Sequence, residues 1–408
     1  MKPSFLHLGE PITIGQVPQD MLALTLCADR YGEPSKSMKI EKVDVPSELN
    51  DYEILIYVMA AGVNHNAIWA GRAKPIDVLK NTQRLDRDTR SYFIPGSDGA
   101  GIVWRVGPNV TNVKVGDEVI LQSGYLGPER IIRNSREPLP NIRAWGYEVN
   151  GGTFAQFTRV QSYQCIPKPK HLSWAEASCF MVSAGTAYRM LCHWTPNEIK
   201  ADEPILIWGG ASGLGCMAIQ ICNMVGAKPV VVVSSPEKKE YCKKIGAVGV
   251  IERTAFHGWG KMPDIEDRER FEQWRKHVKA FRNAFYEALG ERRNPTVVLE
   301  HPGESTFATS LAVVERGGMV VTCGGTSGYY GNFDLRQLWV NQKRIQGSHF
   351  TTREQCIEIT KLVSDRKLNP CLSKVYSFEE AVLVHQLMAD NRHPPGNISI
   401  LINAKEES

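Results

Sequence analysis

Pro204-Ile-Leu-Ile-Trp-Gly-Gly-Ala-Ser-Gly-Leu-Gly-Cys216 is the stretch from which the architecture can be read. Ile205, Leu206, Ile207 and Trp208 form a short apolar run that suits a strand buried on both faces. Gly209, Gly210, Gly213 and Gly215 then allow a tight turn and a close approach of backbone to ligand. A helix is expected over 214–225, and a second apolar run at 229–233 supplies the next strand. Strand, glycine turn and helix start leave backbone N–H groups aimed at one point, which is how a pyrophosphate is held. A plain tight turn would not need those flanks. The stretch therefore predicts a dinucleotide-binding unit, with Gly210, Ser212, Gly213, Leu214 and Gly215 as candidate cofactor contacts.

The end of the second strand decides which dinucleotide. An NAD site places an acid there to hold the ribose 2′-hydroxyl. This chain has Ser234-Ser235-Pro-Glu-Lys238, with Arg253 further along. Hydroxyls and cations suit a 2′-phosphate, so the expected cofactor is NADPH.

Composition bounds the rest. At 408 residues the chain has room for two domains, and 42% hydrophobic with 23% charged residues is ordinary for a globular protein. Lys and Arg number 48 against 44 Asp and Glu, a net charge of only +4, which argues against a general nucleic-acid binder. The first 20 residues show no secretory or transit pattern, and no apolar run has membrane-spanning length. Ten cysteines lie scattered without a C-x-x-C pair, so neither a zinc knuckle nor a disulfide framework is indicated. A cytoplasmic chain without membrane or metal is expected.

Outside the central unit, residues 1–38 read as irregular, and 40–45 and 53–59 as strands. Asn64, His65 and Asn66 then form a polar tip, either facing a pocket or closing an Asx turn. Residues 71–93 read as a surface insertion. Glycines at 96, 99, 101, 107 and 116 punctuate short β runs, as in a compact barrel. Residues 123–144 read as loop. Glu148, beside Trp145 and Tyr147, is either a buried functional carboxylate or a solvated strand-edge one. Residues 171–191 read as helix with a break near 183–186.

Within the charged segment 252–294, Phe271, Trp274, Val278, Phe281, Phe285 and Leu289 recur at three- and four-residue steps, an apolar helix face that packs. Strands are expected at 296–300 and 318–322, and His349 lies in a strand-like context where a core histidine is common. The tail offers helices at 354–365 and 378–391 and a last strand at 398–402.

These motifs together resemble the medium-chain dehydrogenase/reductase superfamily. The 96–119 stretch is similar to its GroES-like catalytic domain and 209–215 to its Rossmann half. Zinc-dependent members carry a His-Glu pair where this chain has Ser97-Asp98, and a cysteine-rich lobe that is absent here, so the zinc-free branch is the better match. Within it, Asn64-His-Asn-Ala-Ile-Trp69, Trp145-Gly-Tyr-Glu-Val-Asn150, Glu300-His-Pro-Gly303, Thr326-Ser-Gly-Tyr329 and Gly347-Ser-His-Phe350 resemble the crotonyl-CoA carboxylase/reductase family.

The resemblance implies a GroES-like β-barrel domain at 1–188, completed by 350–408, and a Rossmann parallel-sheet domain at 189–349 with a charged helical insertion at about 255–294. It implies NADPH-dependent reduction of an α,β-unsaturated acyl-CoA, such as crotonyl-CoA, with capture of the enolate by CO2. Asn66, with Asn64 as the fallback, and His349 would donate to the nascent carboxylate, and Glu148 would anchor a water. Tyr147 stands where carboxylating relatives commonly have Phe, and Gly151 where they commonly have an aromatic. His301, Gly325 and Thr326 join Ser234, Ser235, Lys238 and Arg253 as cofactor contacts. Two rivals remain: an enoyl-CoA reductase that ends in protonation, and a non-catalytic NADPH-binding protein. A homodimer or homotetramer is expected.

Overall fold

The computed structural model describes residues 7, 8, 10, 12–132 and 139–405, with side chains described outside 128–141. The chain divides into two compact units. One comprises residues 1–182 with 350–408, the other 183–349.

The first unit is a β structure. Its main sheet has seven strands. In spatial order they are Cys165–Pro167, Glu118–Leu121, Gly99–Val106, Glu53–Gly62, Asn397–Leu401 and Leu372–Tyr376, and Phe157–Gln161 also pairs with Glu53–Gly62. The long Glu53–Gly62 strand is the organiser: Ile54, Leu55, Ile56, Val58, Ala60 and Ala61 are all fully buried. A second sheet joins Met38–Asp44, Asp20–Cys27 and Tyr92–Phe93, and a hairpin pairs Gly124–Ile132 with Leu139–Ala144.

Several expectations are corrected here. The segment 1–38 is not irregular, because Asp20–Cys27 pairs residue by residue with Met38–Asp44 and buries Leu24 and Leu26. Residues 1–6, 9 and 11 lie outside the described residues. Segment 71–93 holds the helix Val78–Asp86, anchored by buried Val78 and Leu79 and started by the Asp77 carboxylate, which accepts from the Lys80 N–H. The 123–144 loop is largely the hairpin, with 133–138 outside the described residues. The tail adds the strand Leu372–Tyr376, parallel to Asn397–Leu401. The helical break falls at 179–180, between Trp174–Ser178 and Met181–Cys192, so 183–186 are inside a helix.

The second unit is a parallel six-stranded sheet. Its spatial order is Gly249–Glu252, Lys228–Val233, Pro204–Trp208, Val297–Glu300, Met319–Thr322 and Arg344–Gly347. Chain order within it is third, second, first, fourth, fifth, sixth, so direction reverses at Pro204–Trp208. That switch point, at the carboxyl ends of the strands, is where such sheets take ligands. The helix Arg268–Leu289 buries Trp274, Val278, Phe281, Phe285 and Leu289 in the face read from the spacing. Its Phe281 ring stacks on Trp208 at 5.4 Å with planes 8° apart. An apolar helix face and the first strand thus share one core.

Candidate functional site

In the second unit the glycine turn follows Trp208 directly. Gly209 takes φ +65°, a left-handed conformation that costs a side-chain-bearing residue more than glycine. Ser212 caps the helix Gly213–Val225: its Oγ accepts from the Gly215 N–H at 3.1 Å and donates to the Gly209 carbonyl at 2.7 Å. With the Gly215 N–H on Ser212 Oγ and the Cys216 N–H on the Ser212 carbonyl at 2.8 Å, the N–H groups of Gly213 and Leu214 take no acceptor among the described residues. Two free donors at the positive end of a 13-residue helix make an anion cradle.

The neighbouring strand ends complete this edge. His301 follows Val297–Glu300 and stands against Gly209, where an added Cβ would meet its Nε2 at 2.5 Å. That nitrogen is 3.1 Å from the Trp208 carbonyl, so it carries the proton and donates. Burial pushes the imidazole down to about 4, and the ring is neutral in the working range. The Thr326 N–H donates to the His301 carbonyl at 3.2 Å, and Gly303 bridges Gly328, which ties the loop carrying Gly325 and Thr326 to His301.

At the end of Lys228–Val233, Ser235 caps the next helix and Lys238 Nζ reaches Ser234 Oγ at 3.4 Å. Burial lowers the Lys238 ammonium from its ordinary value. Arg253 is engaged otherwise, over the Trp259 ring at 5.6 Å and donating to Ser305 Oγ at 3.2 Å. The glycine turn, His301 and Thr326 therefore form one cluster, with Ser234 and Lys238 on the adjacent strand end.

Sequence reading missed the support beneath this cluster. The Trp208 indole N–H donates to Ser310 Oγ at 2.8 Å, and Ser310 donates to Glu300 Oε2 at 2.5 Å. Thr306 Oγ1 and the Gly303 N–H donate to Oε1 at 2.7 and 3.0 Å. Burial pushes Glu300 up to about 7 against these donors. The network fixes the ends of two central strands relative to one another. Its one sequence signal is a carboxylate closing an apolar strand, where only a satisfied acid is tolerated.

In the first unit, Asn64 stands at the N-cap position of the short helix His65–Gly71 that follows the Glu53–Gly62 strand, without a capping hydrogen bond from its side chain, so the polar tip is a helix start. Asn66 Nδ2 donates to Ser97 Oγ at 2.7 Å, and Asn66 Oδ1 is buried without a partner among the described residues. Asn64 Nδ2 is 3.4 Å from Asp98 Oδ2, which also accepts from the Val182 N–H at 3.2 Å. Asp98 is fully buried, and that burial pushes its carboxyl up to about 8. Sequence reading noted Ser97-Asp98 only as the absence of a zinc pair. The structure makes the two residues the supports of two asparagines.

Glu148 is partly buried within a turn rather than at a strand edge. Its Oε2 accepts from the Ala144 N–H at 2.7 Å. Tyr147 is half-buried, its ring 6.5 Å from Trp69 and its hydroxyl 3.5 Å from the Lys74 carbonyl. His349 belongs to the second unit, exposed in the segment after Arg344–Gly347 rather than in a strand. Among the described residues no group of three or more His, Cys, Asp or Glu side chains is placed to hold a metal ion. A serine and a buried, protonated acid at 97 and 98 do not fit a zinc site.

Comparison with known proteins agrees with the two-part fold. Residues 50–170 match the alcohol dehydrogenase GroES-like domain and 213–365 match the zinc-binding dehydrogenase family model. A crotonyl-CoA carboxylase/reductase from Cereibacter sphaeroides is 42% identical over 405 residues, covering 99% of this chain and 92% of that one. The chain belongs to the crotonyl-CoA carboxylase/reductase family. The solved structure of the family member AntE in complex with NADP superposes with TM-score 0.91 at 44% identity, over 99% of this chain and all of that one. The 2-octenoyl-CoA carboxylase reductase CinF, solved with NADP and 2-octenoyl-CoA, superposes with TM-score 0.84 at 34% identity, over 96% of this chain and 90% of that one. Family members therefore share both units of this chain, and no helix among the described residues is long and apolar enough to cross a membrane.

Proposed function

We propose that this enzyme reduces an α,β-unsaturated acyl-CoA with NADPH and joins the resulting enolate to CO2, giving an alkylmalonyl-CoA. The full-length likeness to relatives of that name carries the proposal. The anion cradle at Gly213 and Leu214 fits a dinucleotide pyrophosphate, and Ser234 with Lys238 fits a 2′-phosphate. When bound, NADPH supplies the hydride that forms the C–H bond at the β-carbon. The π pair moves onto the α-carbon and thioester oxygen, and the α-carbon then bonds to the carbon of CO2. No proton is consumed, and a proton reaching the α-carbon instead yields the saturated acyl-CoA.

The residues therefore have two tasks: to donate where carboxylate charge develops and to keep water away. Asn66 and His349 are the proposed donors, Glu148 the holder of an ordered water, and Tyr147 the screen. The neutral ring of His301, packed on Gly209, would fix the turn around the cofactor. The hydroxyl of Tyr147 gives the protonating rival its support, since it can hold a water near the enolate. A cytoplasmic homo-oligomer completes the proposal.

Incubation with crotonyl-CoA, NADPH, labelled bicarbonate and carbonic anhydrase is expected to place label in acid-stable product in step with NADPH oxidation. Oxidation without label would favour the rival. In the same assay His349→Asn or Glu148→Ala is expected to lower carboxylated product more than NADPH oxidation; equal losses would remove the assigned roles. For the cofactor, Lys238→Glu is expected to raise KM for NADPH about tenfold or more and to leave KM for NADH nearly unchanged, which steady-state kinetics would read.

A further inference from the structure

Ser97 immediately precedes Asp98 and the strand Gly99–Val106, and it is almost wholly buried. Its hydroxyl is the partner that the structure gives to the Asn66 side chain. A carboxamide has unlike ends: the nitrogen only donates and the oxygen only accepts. In the structure the nitrogen end is spent on Ser97 and the buried oxygen has no partner among the described residues. That oxygen presents negative partial charge, which would oppose a carboxylate. Rotation about χ2, which is broadly two-fold for asparagine, exchanges the ends. The hydroxyl can follow the exchange because it both accepts and donates. After it, Ser97 donates to Oδ1, and Nδ2 stands where Oδ1 stood with two N–H groups to offer.

We infer that Ser97 is a positioning residue that holds Asn66 in either orientation and so lets the amide present donors to the developing carboxylate. The inference deepens the proposed role of Asn66 and rests on it. Alanine would hold neither orientation, whereas threonine keeps the hydroxyl that can hold both. The group acts through Asn66, so its loss falls on the choice between CO2 and proton rather than on hydride transfer.

The test is a double-mutant cycle read as the ratio of carboxylated to protonated product. Ser97→Ala is expected to lower that ratio about tenfold while NADPH oxidation stays within about threefold, and Ser97→Thr to restore it. In an Asn66→Ala background, adding Ser97→Ala is expected to change nothing further, because the residue it positions is gone. Thermal unfolding and NADPH affinity of each variant separate these effects from misfolding, and the alanine variants carry the conclusion if the larger threonine does not fit. A normal ratio in Ser97→Ala, with a lowered one in Asn66→Ala, overturns the inference alone. So does an effect of Ser97→Ala that persists undiminished without Asn66. A normal ratio in Asn66→Ala overturns the functional reading of Asn66 first, and the inference with it.

Discussion

Gly215→Ala is expected to weaken NADPH binding by about 100-fold or more, roughly 3 kcal/mol. The reason is a collision with backbone. A Cβ at 215 would lie 2.4 Å from the Gly209 carbonyl oxygen, 2.6 Å from Gly210 Cα and 2.7 Å from the Gly210 carbonyl carbon. None of those atoms belongs to a side chain that can swing away, so the helix Gly213–Val225 must separate from the turn. The cradle depends on that contact, since it aims the free N–H groups of Gly213 and Leu214 and seats the Ser212 cap on Gly215. Gly331→Ala is the control, because the atoms nearest its Cβ would be Phe307 and Phe333 ring carbons at ordinary distances of 3.7 to 3.9 Å. Titration calorimetry with NADPH reads both. Undiminished affinity in Gly215→Ala would remove the glycine turn from the cofactor site.

That turn was legible because its signal is local. A strand buried on both faces is a continuous apolar run, and the glycines and cap that follow are fixed by a few adjacent residues. The helix Arg268–Leu289 was legible for the same reason, since its period alone names the buried face. The strand Asp20–Cys27 was harder. Its buried run continues through Ala23 and Thr25, so the alternation of Leu22, Leu24 and Leu26 is blurred, and its pairing with Met38–Asp44 is what stabilises it. The break expected near 183–186 is absent because the one glycine there, Gly185, costs a helix only about 1 kcal/mol, and the neighbouring Ala184 and Ala187 are fully buried. The supports at Ser97 and Asp98 were not legible, and Glu300 offered only the signal of an acid closing an apolar strand. The contacts that matter join residues distant in sequence and brought near only by folding: Asn66 is 31 positions from Ser97, Val182 is 84 from Asp98, and Trp208 is 102 from Ser310.

Asp98→Asn is expected to stabilise the first unit, and to do so increasingly as pH rises. The carboxyl of Asp98 is raised by burial from 3.8 to about 8, because no cation among the described residues offsets the loss of water. Around it are the Asn64 amide, the Val182 and Met181 N–H groups, and the thiols of Cys179 and Cys356. Both thiols are themselves raised, chiefly by burial, and stay neutral across the range. The native state therefore keeps the Asp98 proton where the unfolded chain gives it up. This group's contribution is fully present below pH 3.8 and is lost as pH rises through about 8.

Asparagine keeps an oxygen for Val182 and Asn64 and never ionises, so the variant escapes that loss. Its advantage over the parent should widen by about 3 kcal/mol between about pH 5.5 and about pH 8, as read by urea unfolding. Asp98→Ala should instead destabilise at every pH, because it strands the Val182 and Asn64 donors in a buried site. A gap between parent and Asp98→Asn that is the same at both pH values would show that Asp98 is ionised in the folded protein, held by a charge the geometry does not contain.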